Sequence, residues 1–223
     1  MAVILVMGAS RGIGRGLVRA CVARGDRVIA TVRQRADGEA LRAEGAEVLV
    51  VDVADPASVS GLAWQLDGQE IDCAWYVAGV WDAGTASHPP TQEQFDRVMH
   101  TNVLGAMQVL PQVMPGVEAA GGTMVCISSE MSRLSLADAD AWLYRVSKAA
   151  VNMVVASAQP QWPGATVIAM DPGWVQTEMG GAAAPITVET SVQGMLDTVD
   201  QLTLEDRGGL LRYNGERSRA EKA

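Results

Sequence analysis

Short apolar, β-branched runs alternate with longer amphipathic stretches along this chain. The runs Val3–Met7, Arg27–Val32, Glu47–Val51, Asp72–Val77, Thr123–Ser128, Thr166–Met170 and Gly209–Arg212 predict strands. The stretches Ile13–Ala23, Glu39–Glu44, Pro56–Leu66, Gln92–Gln112, Ala141–Gln159 and Val188–Leu202 predict helices. Strands that are apolar along their whole length, rather than at every second residue, belong to a parallel sheet covered on both faces. Right-handed crossovers then give an α/β fold, a doubly wound sheet of about seven parallel strands with helices on both sides. There is no internal repeat and no low-complexity segment. Two long loops, 80–90 and 171–187, follow the carboxyl ends of predicted strands, where open α/β sheets bind ligands. Both are expected to form the substrate side of a site.

Size and composition narrow the picture. The 223 residues suit one domain spanning 1–223. With 48% hydrophobic residues and 23 glycines, the chain reads as a buried sheet with many tight turns, not as a disordered polymer. Its 17 Lys and Arg against 26 Asp and Glu give a net charge of −9, which argues against nucleic acid or an anionic membrane as a partner. Cys21, Cys73 and Cys126 are odd in number and set in apolar runs, so they read as buried free thiols rather than disulfide or metal ligands. The first apolar run is too short for a signal segment, and no run approaches the roughly 20 residues of a membrane span. A cytoplasmic location is expected, with reduced thiols and no metal.

The first predicted strand runs into Gly8-Ala9-Ser10-Arg11-Gly12-Ile13-Gly14, and a helix opens there. Glycines at this turn let the backbone approach a pyrophosphate, and the helix N-terminus offers free N–H groups and a favourable dipole. The alternative is a tight strand–helix turn without a ligand. An acid about 20 residues onward usually holds the 2′-hydroxyl of NAD. Here the second strand ends in Thr31-Val32-Arg33-Gln34-Arg35 without an acid. Arg33 and Arg11 together favour the 2′-phosphate of NADP(H) over NAD(H), unless both are merely solvated. Asp52, beside Val53 after the third strand, either meets the adenine amino group or caps the next turn.

Tyr144 and Lys148 are four residues apart, so a helix puts them on one face. An ammonium and the positive ring of an oxidised nicotinamide both favour the phenolate, bringing the phenol from its ordinary value near 10 toward the range of acid–base catalysis. The alternative is an ordinary exposed helix pair. The preceding strand ends in Ser128-Ser129, which offers hydroxyls to the same pocket.

With these motifs in this order, the chain resembles the short-chain dehydrogenase/reductases over essentially its whole length. The matching pieces are the glycine motif, Asp52, Ala78-Gly79, Asn102, Ser129, Tyr144/Lys148 and Asp171-Pro172-Gly173-Trp174-Val175-Gln176-Thr177. The run Tyr144–Asn152, with Pro172–Gly181, is similar to the sniffer-like and C-factor-like branch. The resemblance implies that Tyr144 is the general acid in reduction and the base in oxidation. Lys148 would lower the Tyr144 pKa and hold the nicotinamide ribose, and Ser129, rather than Ser128, would bond the substrate oxygen. Asn102 would hold a water linking Lys148 to solvent. Ser10 and Ile13 would belong to the cofactor cradle, and Pro172, Gly173, Val175 and Thr177 would line the nicotinamide. It also implies a homodimer or homotetramer paired through the helices of Asn102 and Tyr144.

Two positions depart from the family pattern. Met7 stands where Thr is usual, and Val77 stands for the Asn of Asn-Ala-Gly. We expect the two to compensate by packing against each other. Trp81, Met131, Trp142, Trp174 and Met179 are candidates for an apolar substrate wall suited to a small ketone, aldehyde or quinone, or the corresponding alcohol. His88, beside two prolines, reads as a loop residue. A second class remains, a dinucleotide-binding sensor that kept the fold for signalling, and the filled Asn102/Ser129/Tyr144/Lys148 set argues against it.

Overall fold

A computed structural model describes residues 1–217. Seven strands, β1 (Val3–Met7), β2 (Arg27–Val32), β3 (Glu47–Val50), β4 (Cys73–Tyr76), β5 (Thr123–Ile127), β6 (Thr166–Asp171) and β7 (Leu210–Arg212), form one sheet in the order β3-β2-β1-β4-β5-β6-β7, with every pairing parallel. The helices are α1 (Gly12–Ala23), α2 (Gly38–Ala43), α3 (Pro56–Ser60), α4 (Leu62–Gln65), α5 (Gln92–Met99), α6 (Gly105–Ala119), α7 (Trp142–Ala158) and α8 (Val188–Asp200).

Alternation along the strands sends residues to two cores. Ile4 and Val6 of β1 join Leu17 and Val18 of α1, Leu41 of α2 and Met195 of α8 on one face. Leu5 and Met7 join Leu62 of α4, Leu110 and Met114 of α6, and Val151 and Val155 of α7 on the other. The strand order reverses beside β1, where the next strand in sequence after β3 is laid down on the opposite side as β4. That reversal opens a crevice above the carboxyl ends of β1 and β4.

The predicted helix from Gln92 to Gln112 runs further, to Ala119, through Pro111 and Pro115. Both prolines and Met107 lie on the exposed face. The carbonyls that lose their amide partners therefore turn to solvent, which removes most of the usual proline penalty. Between α5 and α6 the helix widens into one π-helical turn, His100–Leu104. The Tyr76 hydroxyl from β4 donates to the Thr101 carbonyl at 2.6 Å, giving that carbonyl a partner outside the helix. Gly105 permits this, since a Cβ there would lie 2.4 Å from Tyr76 Oη. The predicted helix Pro56–Leu66 is broken at Gly61 into α3 and α4.

Met7 and Val77 do not pack against each other. Met7 lies in the core under α6, and Val77 packs against the core on the α1 side of the sheet. Met7 pairs instead with Tyr76 across the register, and its carbonyl accepts from both Val77 N (2.9 Å) and Ala78 N (3.0 Å). Backbone hydrogen bonds tie β1 to β4 where a side-chain contact was expected.

Candidate active site

The crevice begins at the β1–α1 turn. Gly8 has φ +90°, and a Cβ on it would lie 2.7 Å from Ala78 N. A Cβ on Gly14 would lie 2.2 Å from Gly8 O, so only glycine lets α1 start this close to the strand. Ile13 packs into the α1-side core, and Ser10 is half-buried in the turn. The N-terminus of α1 has no side-chain cap and no acidic residue in its first turn, leaving its amides and dipole available to an anion. Gly12 (φ +53°) faces the Thr177 methyl, 3.3 Å from where a Cβ would stand, so the glycine turn and the 171–187 loop flank one opening.

The two arginines differ. Arg33 is exposed at the end of β2 and has no ion-pair partner among the described residues. Arg11 is exposed and bonds Glu178 at 2.5 Å, tying the glycine turn to the far loop. An exposed pair of this kind contributes little to stability. Asp52 Oδ1 accepts from Ala54 N at 3.0 Å, which caps the turn after β3. Val53 is buried, with its carbonyl against Gly105.

Beyond β4 the polar groups gather. Asn102, in the π-helical turn, is 1% exposed. Its Oδ1 accepts from Val80 N at 2.8 Å, while Nδ2 donates to Val80 O at 3.0 Å and to Ser147 Oγ at 2.9 Å. The side chain thus clamps the backbone just past Gly79. A Cβ on Gly79 would lie 3.4 Å from Asn102 Oδ1 and 3.5 Å from Lys148 Nζ. Lys148 is buried and donates to Ile127 O at 2.8 Å. Burial brings its pKa down to about 8.

Tyr144 is 8% exposed. Trp81 lies against it with ring centroids 4.6 Å apart at 55°. Burial and the Asp171 carboxylate push its phenol well above the ordinary value, and a hydrogen bond with Ser129 acts the other way. The expected lowering by Lys148 is not found. The ammonium is directed at the Ile127 carbonyl, 5.5 Å from the Tyr144 ring centroid, and desolvation outweighs it.

The two serines after β5 part company. Ser128 is buried and turns to α7, donating to Asn152 Oδ1 at 2.6 Å. Ser129 turns toward Tyr144 and also accepts from Met131 N at 3.1 Å. Asn152 donates to Ser132 Oγ at 2.8 Å, and Ser132 donates to Ser129 O at 2.5 Å, so one chain of hydrogen bonds from α7 fixes the Ser129 turn. Arg145 fixes the approach to α7, donating to Asp140 O (2.9 Å) and Leu136 O (3.0 Å). This holds Ala141 in a left-handed conformation (φ 48°) that a non-glycine residue adopts at a cost.

The 171–187 loop is bonded to α8 and within itself. Pro172 O accepts from Ser191 Oγ at 2.6 Å, buried Val175 bridges to Ile186, and Thr177 Oγ1 accepts from Gly180 N at 3.0 Å. Gly173 (φ +79°) packs on the Tyr213 ring. Of the aromatic candidates only Trp81 touches Tyr144. Trp142 packs on the loop at Gly84, and Trp174, 55% exposed, donates to Gly180 O at 2.8 Å. Met179 is exposed, and Met131 is half-buried beyond Ser129. His88 is an exposed loop residue bonded to Ser87.

Several supporting residues had no role assigned in the sequence reading: Ser147, Asn152, Arg145, Tyr76 and Asp171. Asn152 had a legible signal, since 144, 148 and 152 continue one polar stripe at i, i+4 and i+8. The others depend on contacts between distant elements.

A family model described as short chain dehydrogenase matches residues 2–185. The C-signal protein of Myxococcus xanthus is 35% identical over 144 residues, covering 62% of this chain and 84% of its own. An NADPH-bound carbonyl reductase from chicken fatty liver superposes with a TM-score of 0.87 at 27% identity, covering 98% of both chains. Carbonyl reductase Sniffer of D. melanogaster has the same fold, with a TM-score of 0.89 at 24% identity over 97% of this chain and 98% of its own.

Proposed function

The chain belongs to the short-chain dehydrogenase family, and from that premise we propose that it is an NADP(H)-dependent reductase of small apolar carbonyl compounds, with Tyr144 as the acid/base. The observation that carries this reading is Lys148 beside Gly79 and 5.5 Å from the Tyr144 ring, with Ser129 bonded to the same phenol, next to a glycine turn that leaves no room for a Cβ. The residues fit the cofactor. Gly8 and Gly14 leave no room for a Cβ, the α1 N-terminus has no side-chain cap, and Arg33, exposed and without an ion-pair partner among the described residues, is placed to meet a 2′-phosphate. The chicken carbonyl reductase, which binds NADPH, supports the same choice.

The nicotinamide supplies the hydride when bound. The chain's residues do the rest. Ser129 and Tyr144 hydrogen-bond the carbonyl oxygen, orienting the carbon and polarising the bond. Tyr144 Oη gives its proton to that oxygen as negative charge develops, and regains one by way of Lys148 and a water that Asn102 would hold. Pro172, Gly173, Val175 and Thr177 hold the nicotinamide side. Trp81, with the loops 80–90 and 171–187, walls the substrate and excludes water. The apolar wall suits a ketone, aldehyde or quinone.

A second copy of the chain is the occupant we assign to the apolar groove between α6 and α7, where Met107 and Met153 are 54% and 67% exposed. The family pattern of pairing through these helices supports it.

The test is turnover of NADPH over a panel of carbonyl compounds, with Arg33→Ala as the cofactor control. Wild type oxidises NADPH with at least one ketone, aldehyde or quinone. Arg33→Ala weakens NADPH on the order of ten- to a hundredfold, the worth of a charge-assisted bond, and leaves NADH nearly unchanged. Tight NADPH binding without turnover, unaffected by Tyr144→Phe, favours the sensor reading that C-signal keeps open. Equal losses for both coenzymes overturn the cofactor assignment.

A further inference from the structure

Asn152 shares a face of α7 with Tyr144 and Lys148, and both ends of its amide are engaged. Its Oδ1 accepts from Ser128 Oγ at 2.6 Å, and its Nδ2 donates to Ser132 Oγ at 2.8 Å. Ser128 is buried, and the only other partner of its hydroxyl is Lys148 O at 3.3 Å. Ser128 must therefore donate, which fixes which end of the amide faces which serine. With its oxygen filled by the amide, Ser132 spends its one hydroxyl proton on Ser129 O at 2.5 Å, beside the backbone bond from Ser132 N to the same oxygen at 3.0 Å. The bonds all run one way, from Ser128 through Asn152 and Ser132 to Ser129.

That last residue is where the chemistry is. Residues Glu130–Ser132 form a single 3₁₀ turn, and Ser129 is its N-cap. Ser129 Oγ accepts from Met131 N at 3.1 Å, so the cap uses an accepting position of the hydroxyl and leaves its proton for the side of the pocket where Tyr144 stands. A 3₁₀ turn of three residues has poor hydrogen-bond geometry and little hold on itself. The tether from Asn152 closes its far end at Ser132, which is buried.

We propose that Asn152 is a positioning residue for Ser129: by holding Ser132 it keeps the 3₁₀ turn closed and the Ser129 hydroxyl aimed, as a donor, at the carbonyl oxygen of the substrate. This rests on the reading of Ser129 and Tyr144 as the pair that bonds that oxygen. A hydroxyl released from the cap rotates and offers lone pairs as well as its proton, so the donor is no longer in place when negative charge develops on the oxygen. The amide is essential to the scheme. A carboxylate of the same shape still accepts from Ser128, but it offers Ser132 an acceptor instead of a donor. Ser132 has one proton, and a charge-assisted bond to the carboxylate is stronger than one to Ser129 O. Ser132 then turns away from Ser129, and the turn loses its tether.

The test uses Asn152→Asp, Ser132→Ala and the double variant, with two readings on each. The first is kcat and KM for reduction of a carbonyl compound with NADPH. The second is hydrogen exchange of the Met131 amide, the proton that Ser129 Oγ accepts, followed by NMR. Asn152→Asp is expected to lower kcat about ten- to a hundredfold with KM for NADPH unchanged, and to speed exchange at Met131 about tenfold. Ser132→Ala gives the same pattern and serves alone should Asn152→Asp not fold. The double variant is no worse than the more impaired single one, because both cut one chain of bonds. Losses that multiply in the double variant overturn the inference. So does an unchanged kcat with the Met131 amide released, or a lowered kcat with that amide still protected. If wild type reduces no carbonyl, the proposed function is refuted and exchange alone decides: faster exchange in the variants keeps the hold of Asn152 on Ser129, and unchanged exchange overturns it. Turnover with both readings unmoved overturns this inference and leaves the proposed function standing.

Discussion

Each polar side chain at the site has a distinct partner, and the partner decides what the residue can do. Ser128 and Ser129 are neighbours in sequence, yet one is spent on Asn152 and the other meets Tyr144. Lys148 shows the cost of such placement. Its pKa falls from 10.5 to about 8 through burial, so between those values the unfolded chain binds the proton and the folded chain does not. Stability therefore rises with pH across that window and is lowest, for this group, below about pH 8. The full difference is on the order of 3 kcal/mol. Measured by denaturant unfolding, wild type should gain stability relative to Lys148→Met as pH rises from about 8 to about 10; a gap that moves the other way contradicts the burial of a charged amine. The sequence displayed Tyr144, Lys148, Asn102 and Ser129 because their spacing and order form a pattern. It did not display the direction of the phenol's shift, because that depends on Asp171 and on desolvation, neither of which is local to the motif.

Elements were legible where periodicity and breakers agree. β1 and β2 have the predicted bounds, since their apolar runs stop at glycine or at charged residues. The long helix was misjudged at its end, because proline is a breaker only where its freed carbonyl is buried. The π-helical turn left no periodic trace at all. It depends on Tyr76, a residue of β4 that donates to Thr101 O from a strand 25 residues away. Removing that hydroxyl in Tyr76→Phe leaves a carbonyl without its partner and is expected to cost about 1–3 kcal/mol in stability. The same change should lower kcat several-fold, because Asn102 follows Thr101 directly and its clamp on Val80 sets the floor of the site. Wild-type stability and kcat in this variant would show that the turn holds itself.

At the scale of the molecule, the fold followed from its largely apolar strands and alternating helices, and the strand order places the site segments at the carboxyl edge. The pairing of Met7 with Tyr76 rather than Val77 was not legible, since it requires knowing which face each strand presents. The exposed methionines of α6 and α7 are surplus to the core. Met153→Glu should convert a dimer to a monomer in light scattering, with monomer stability unchanged; a monomeric wild type would refute the assembly. The central claim is that Tyr144 transfers the proton. The most direct measurement is single-turnover NADPH oxidation with a carbonyl substrate in wild type and Tyr144→Phe, with NADPH affinity measured on both. A fall of about 10²–10⁴-fold is expected in the variant, with coenzyme binding kept; equal rates in the two proteins would rule out Tyr144 as the proton donor.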